Sequence, residues 1–261
     1  MNDNQLYGVD PGSAELTAVG DGQGAPSEDS SCASQGAQLP GTDWFYFVDW
    51  DATDSLDRVN LVTGEHQEIG EITVNGAPEN ITYSLTIGPD GTAYILDYDD
   101  LYTVDLETGA ATYLSSPNFY DEYSGYPYAF AYDYKTEKFY VVEDGDGAMY
   151  ELDPATGNKV EMDYNEDYWV ASMAFDSEGD LWINGDNNGA STVALADFGD
   201  SNLWIDTDTF SPSVYSESIW VSGPRAADEL AETGFSPAPL FAGAALATAA
   251  GVAIVRSRRR A

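Results

Sequence analysis

Ala93-Tyr94-Ile95-Leu96-Asp97, then Tyr102-Thr103-Val104-Asp105-Leu106-Glu107-Thr108-Gly109, sets out two apolar runs separated by an acidic break and closed by a Thr-Gly turn. Tyr, Val, Ile and Leu alternating with polar residues suit strands half buried on a pleated surface. The same pattern recurs on both sides. Phe45-Tyr46-Phe47-Val48-Asp49, Phe139-Tyr140-Val141-Val142-Glu143 and Leu181-Trp182-Ile183-Asn184-Gly185 repeat the opening run; with Ala93 the starts lie 48, 46 and 42 residues apart. Arg58 to Gly64 and Tyr150 to Gly157 repeat the second run with its Thr-Gly ending. Ahead of the opening runs come Leu85 to Gly91, Ala129 to Glu137 and Met173 to Gly179, each an apolar stretch ending in a turn. Gly at the turns supplies the positive φ that tight hairpins need.

A copy of about 45 residues with three or four strands has the size of one propeller blade, and no copy can bury its apolar faces alone. Leu6-Tyr7-Gly8-Val9-Asp10-Pro11-Gly12-Ser13 reads as the remnant of a further copy, and Val214 to Val221 as the last strand of a ring. The expected fold is all-β, a propeller of about five or six blades with an incomplete N-terminal copy, over residues 1–222. Residues 21–41 read as a long loop between blades and 223–229 as a stalk. No strong helical period precedes residue 235.

The run from Phe235 to Val255 has 21 residues without a charged side chain. As a helix it would reach roughly 31 Å, about one hydrocarbon core. Arg256, Arg258, Arg259 and Arg260 follow it, and positive charge on the cytoplasmic side sets the orientation. The expectation is a transmembrane helix over 235–255 with a basic cytoplasmic tail at 256–261. Everything before Phe235 is then outside.

The exposed part carries all 46 acidic residues and five of the nine basic ones, Arg58, Lys135, Lys138, Lys159 and Arg225. Its strong negative charge repels nucleic-acid backbones and anionic membrane surfaces. Hydrophobic residues at 43% and aromatics at 13% are too many for a disordered acidic tail. Cys32 is the only cysteine and His66 the only histidine. No intrachain disulfide can form, and His66, between Glu65 and Gln67, reads as a surface turn residue.

Four loops gather oxygen donors after the opening runs. They hold Asp49, Asp51 and Asp54; Asp97, Asp99 and Asp100; Glu143, Asp144 and Asp146; and Asn184, Asp186, Asn187 and Asn188. Such groups suit calcium, which takes six to eight oxygen ligands. None fits the helix-loop-helix calcium loop, since Asp54 stands where glycine is required. Polar hairpin loops explain the same residues without a metal. Tyr113, Tyr120, Tyr123, Tyr126, Tyr128, Tyr164, Tyr168 and Trp169 crowd the links between copies. They suit packing between blades or a sugar- or peptide-binding face.

Two resemblances follow from these residues. Phe175-Asp176 with Gly179, Leu181 and Trp182, and Leu101-Tyr102 with Val104, Asp105, Thr108 and Gly109, resemble the repeats of NHL, SMP-30 and quinoprotein-like propellers. That likeness implies architecture rather than activity. SMP-30-like lactonases hold a metal with one Glu and Asn/Asp residues, and Glu143, Asn184 and Asp97 are of matching type. Leu230-Ala231-Glu232-Thr233-Gly234, followed by the apolar run and the arginines, resembles the cell-wall sorting signal of Gram-positive surface proteins. With Ala231 in place of the usual proline it looks like the form handled by class E sortases of high-GC actinobacteria. The resemblance implies that a sortase cleaves between Thr233 and Gly234 and passes the Thr233 acyl group to a peptidoglycan precursor. Met1 to Gln5 has neither a basic nor an apolar export stretch, so the exported start is expected upstream.

The expected function is surface-displayed binding or adhesion toward a glycan or a host or matrix protein. A metal-dependent lactonase or hydrolase is the alternative in another class, and a plain single-span anchor the alternative for the tail.

Overall fold

The computed structural model describes residues 5–10, 15–20, 32–33, 35–50, 54–80, 84–119, 127–143, 148–165, 169–176, 179–187, 190–196, 203–206, 216–221 and 251–255. Among these every regular element is a strand, arranged in five sheets.

Sheet A contains β1 (Gln5–Asp10), β2 (Glu15–Val19), β22 (Ser216–Val221) and β23 (Gly251–Val255), in the order β2-β1-β23-β22. Sheet B contains β3 (Cys32–Ala33), β4 (Ala37–Gln38), β5 (Trp44–Trp50), β6 (Ser55–Asn60) and β7 (His66–Glu71); β3 and β4 both pair with β5. Sheet C runs β10 (Ser84–Ile87), β11 (Ala93–Leu96), β12 (Leu101–Val104) and β13 (Ala110–Ser115). The short β8 (Thr73–Val74) and β9 (Ala77–Pro78) extend it beyond β13. Sheet D is β14 (Pro127–Asp133), β15 (Lys138–Glu143), β16 (Ala148–Leu152) and β17 (Lys159–Asn165). Sheet E is β18 (Trp169–Phe175), β19 (Leu181–Asn187), β20 (Ala190–Ala196) and β21 (Leu203–Asp206). Sheets D and E are four-stranded antiparallel meanders, as the repeat spacing requires.

The first strands lie side by side: β4 against β10, β10 against β14, β14 against β18, β18 against β22, and β22 against β3. This is a β-propeller arrangement, in which sheets B, C and D are buried on both faces. Strand alternation shows it directly. In β15, Phe139 and Val141 join a core with Leu96, Leu101 and Phe130 on the sheet C side. Tyr140 and Val142 join Met173, Phe175, Leu181 and Ile183 on the sheet E side. Between sheets B and C, Tyr46, Val48 and Leu56 meet Leu85, Ile87, Ala93 and Ile95. The apolar residues legible in the sequence therefore form cores between sheets rather than within them.

Part of 21–41, expected as a loop, is the inner edge of sheet B. Gln35 sits between β3 and β4, its backbone carbonyl accepting from Leu85 N at 3.0 Å. Its side chain is buried, with 2% of its surface exposed. Gln35 Oε1 accepts from Phe130 N at 3.0 Å and Met173 N at 3.1 Å, and Nε2 donates to the Phe130 carbonyl. One residue, through its backbone carbonyl and its side-chain amide, thus joins sheets B, C, D and E. Gly36 beside it leaves no room for a side chain: an added Cβ would lie 2.1 Å from the Tyr46 carbonyl oxygen.

The Thr-Gly turns set the outer contacts. In Asp105 to Gly109, Glu107 N donates to Asp105 Oδ1 at 2.8 Å and Gly109 N to Asp105 O at 2.9 Å, with Gly109 at φ 74°. Gly109 abuts Gly70 and Glu71 of sheet B, Gly64 abuts Val19 and Gly20 of sheet A, and Gly157 abuts Ser116 and Pro117 beyond β13. The N-terminal remnant therefore makes the same contact as the full copies.

The expected helix over 235–255 gives way at its end: Gly251–Val255 is a strand, paired antiparallel with β1 and β22. Val252, Ile254 and Val255 are β-branched and favour strands, and both neighbours supply ladder partners. Residues 235–250, the stalk and the basic tail lie outside the described residues. Among the described residues no helix is long and apolar enough to cross a membrane.

A matched pair of substitutions tests the outer contact. Gly41 also has φ 75°, but nothing lies within 4 Å of a Cβ built on it. Gly41→Ala should cost about 1–2 kcal/mol for the left-handed backbone alone. Gly109→Ala, whose Cβ would meet the Glu71 carbonyl oxygen at 2.7 Å, should cost about 1–3 kcal/mol more. Urea unfolding midpoints compare the two, and equal midpoints would contradict the packing described here.

Candidate functional site

The loops after the second strands hold most of the acidic residues singled out from the sequence, and the structure separates them by environment. Asp49 is the last β5 residue paired with β6, opposite Ser55, and is buried. Asp54 closes the same loop, also buried; its carbonyl accepts from Ile72 N at 2.8 Å and its amide donates to Asn80 Oδ1 at 3.3 Å. In sheet C the loop is stitched locally. Asp97 N donates to Asp100 O at 2.9 Å, and Ser116 Oγ bonds the Asp99 carbonyl at 3.0 Å and Asp100 Oδ1 at 2.6 Å.

Asp97 is the electrostatic outlier. Its Oδ1 is buried with no hydrogen-bond partner among the described residues. Burial pushes its carboxyl up to about 6; the Tyr98 N–H opposes this, while Asp100, Asp99 and Asp54 raise it further. Asp54 belongs to the preceding sheet, so this loop face brings carboxylates of sheets B and C near one another.

Glu143, at the end of β15, is held differently. Lys159 Nζ lies 3.8 Å from Glu143 Oε1, and Tyr150 Oη donates to Oε2 at 3.4 Å. The same ammonium donates to the Asn118 carbonyl at 2.8 Å and lies 4.0 Å from the Phe119 ring centroid. Glu143 is therefore tied to the outer side of its own sheet rather than grouped with Asp97. Asp51, Asp144 and Asp146 lie outside the described residues. Asn184 and Asp186 are placed only as backbone of β19, opposite Val193 and Ser191. Among the described residues no three His, Cys, Asp or Glu side chains converge as a metal site. Leu230 to Gly234 and the four tail arginines also lie outside the described residues.

His66 is not in a turn. It opens β7 and pairs with the buried Asp57, Nε2 to Oδ2 at 2.6 Å, while Ser55 Oγ donates to Asp57 Oδ1 at 2.8 Å. Serine and histidine bond opposite oxygens of one carboxylate. A nucleophilic relay needs the histidine between serine and acid, so this cluster satisfies a buried acid rather than activating a hydroxyl. Sequence spacing hid it: Asp57 and His66 are nine residues apart and meet only through the β6–β7 register. Arg58 is likewise engaged, stacked 4.3 Å over the Trp44 ring and bonding Gln67 Oε1 at 3.0 Å and 2.7 Å. Of the aromatic residues, Tyr113 is 54% exposed and meets Tyr102 edge-on at 6.0 Å. Tyr128 is half-buried in β14.

No family model and no curated protein matches the chain. Among solved structures, a nidogen/laminin complex chain is similar at TM-score 0.49 and 13% identity, over 82% of this chain and 81% of that one. A virginiamycin B lyase from Staphylococcus aureus is similar at TM-score 0.46 and 12% identity, over 83% and 67%. The extracellular domain of a hybrid two component system from B. thetaiotaomicron is similar at TM-score 0.43 and 16% identity, over 84% of this chain but 28% of that one. The chain thus spans under a third of that protein.

The pH behaviour of Asp97 can be measured. A carboxyl raised in the folded state stabilises the fold below its unfolded value near 4, and that contribution is lost as pH rises to about 6. Asp97→Asn should therefore raise Tm relative to the parent at pH 7.5, by about 2–4 °C, with the difference vanishing near pH 4. A constant difference across that window would contradict the assignment.

Proposed function

We propose that this chain is a cell-surface binding protein whose ectodomain is a five-bladed propeller linked to peptidoglycan through Thr233. The observation that carries the anchoring is the order Leu230-Ala231-Glu232-Thr233-Gly234, apolar run, arginine cluster. Any one of these parts recurs by chance, but the three together in this order match a substrate of a class E-type sortase. In this reading the chain is the substrate of the transpeptidation. The Thr233–Gly234 bond breaks, and the Thr233 carbonyl forms an amide with the peptidoglycan precursor. The membrane holds the tail only until that step.

The five sheets among the described residues support a count of five blades. Sheet A draws strands from the two ends of the described chain and is the closing blade. Display for binding, rather than catalysis, is supported by the loop face. Among the described loop acids Glu143 is bonded to Lys159 and Tyr150 of its own sheet and Asp100 to Ser116, and the one Ser/Asp/His group has the wrong connectivity for a relay. A glycan or matrix protein offering hydroxyl or cationic groups suits a face of this charge, whereas nucleic acid does not.

The test is mass spectrometry of the full-length product, expressed in an actinobacterial host with a signal peptide and class E sortase, after muramidase release. Peptides ending at Thr233 and joined to wall fragments are expected, and Thr233→Ala should abolish them and leave the protein in the membrane fraction. Protein that keeps Arg258 and appears only in membranes would overturn the anchoring.

A further inference from the structure

Within sheets C, D and E the first and second strands are joined by short links: 88–92, 134–137 and 176–180. Sheet A is different. Its first strand, β22, ends at Val221, and the strand beside it, β23, begins at Gly251. Between them in sequence lies the whole stalk and the Leu230 to Gly234 motif. Yet the position is that of every other second strand, between an inner strand and a third strand. Third strands read Leu101-Tyr102-Thr103-Val104-Asp105 in sheet C and Leu6-Tyr7-Gly8-Val9-Asp10 in sheet A. The second strands beside them are short apolar runs, Ala93-Tyr94-Ile95-Leu96 and Phe139-Tyr140-Val141-Val142. Val252-Ala253-Ile254-Val255 is a run of the same kind.

The pairing is two-sided. Leu6, Tyr7 and Gly8 of β1 oppose Ile254, Ala253 and Val252. Ser218, Ile219 and Trp220 of β22 oppose the same three residues. Among the described residues β1 pairs otherwise only with β2, and β22 has no other ladder partner. Without a strand here the β1–β2 hairpin would have no ladder to the ring, and β22 would keep an open edge, which pairs readily with an extended peptide.

We propose that the gap between β22 and β1 is a strand-acceptor site for an extended, apolar, β-branched peptide running antiparallel to both neighbours. Its occupant is Gly251–Val255 of the same chain. The segment cannot lie in this sheet and at the cytoplasmic end of a membrane span at once. Ring closure in cis and insertion of the tail are therefore alternatives, and sortase cleavage leaves the wall-bound domain with an open acceptor site. The strand assignment stands on the pairing alone; its exclusion by membrane insertion and its release by sorting rest on the anchoring proposed above.

The test uses the full chain with Cys32→Ser, which removes the native thiol. Leu6→Cys with Ile254→Cys places two thiols opposite one another, whereas Leu6→Cys with Ala253→Cys directs them to opposite faces. Oxidation of the soluble chain should link the first pair about tenfold faster than the second, because disulfides need Cβ atoms that face each other. In a second measurement a protease site is inserted after Thr233 and the folded chain is cut there. Residues 234–261 should remain bound to 1–233 on gel filtration, and Ala253→Pro, which removes a ladder donor, should release them. Equal cross-linking of the two cysteine pairs, or immediate separation of the cut halves without the Pro substitution, would overturn the site. Neither readout involves a sortase, so cross-linking without Thr233–wall linkage would sink only the anchoring, and the converse only the acceptor site.

Discussion

The amide of Gln35 is the constraint around which the ring is arranged. Its carbonyl oxygen takes two backbone N–H groups, one from sheet D and one from sheet E, and its nitrogen returns a bond to sheet D. The adjoining backbone bonds sheet C through Leu85. Inner strands of neighbouring sheets cannot all pair with one another, so their backbone groups facing the axis need other partners or each lost bond costs about 1–3 kcal/mol. A single neutral side chain with both donor and acceptor meets that need without bringing a charge inside. It also limits its surroundings: Gly36, Ala129, Ala131 and Ser172 keep the inner strands small enough for the sheets to converge.

From that centre outward, sheets B, C and D bury both faces and most of their charge lies in loops and at rims. The few cations are placed where they hold structure: Arg58 on Trp44, Lys159 between Phe119 and Glu143, Lys138 on Glu151 at 2.6 Å. Asp97 shows the opposite case, a carboxyl with three acidic neighbours and a displaced proton affinity. A fold of this charge gains solubility and repels anionic partners, and its stability depends on pH through Asp97, which burial raises.

The second and third strands were legible in the sequence because alternation, acidic break and Thr-Gly turn recur at nearly fixed spacing. The turn glycines were legible as turns, but not as contacts to the preceding sheet, which only packing reveals. Gln35 was hidden because the inner edge of sheet B is two two-residue strands set among Gly, Ser and Ala, too short and too polar to alternate. The Asp57–His66 pair was hidden by cross-strand register. The strand at Gly251–Val255 was hidden because an apolar run fits a helix or a buried strand equally well by periodicity, and its ladder partner β1 lies more than two hundred residues away. The sorting signal proposed for Leu230 to Gly234, by contrast, is read from a local run of sequence alone.

Native-state hydrogen exchange tests the axial constraint most directly. If Gln35 joins the sheets into one cooperative unit, the amides of Phe130 and Met173 should exchange only with global unfolding, at the free energy given by denaturant melting. Exchange of either amide through local opening, at a free energy well below that value, would contradict the central place given to Gln35.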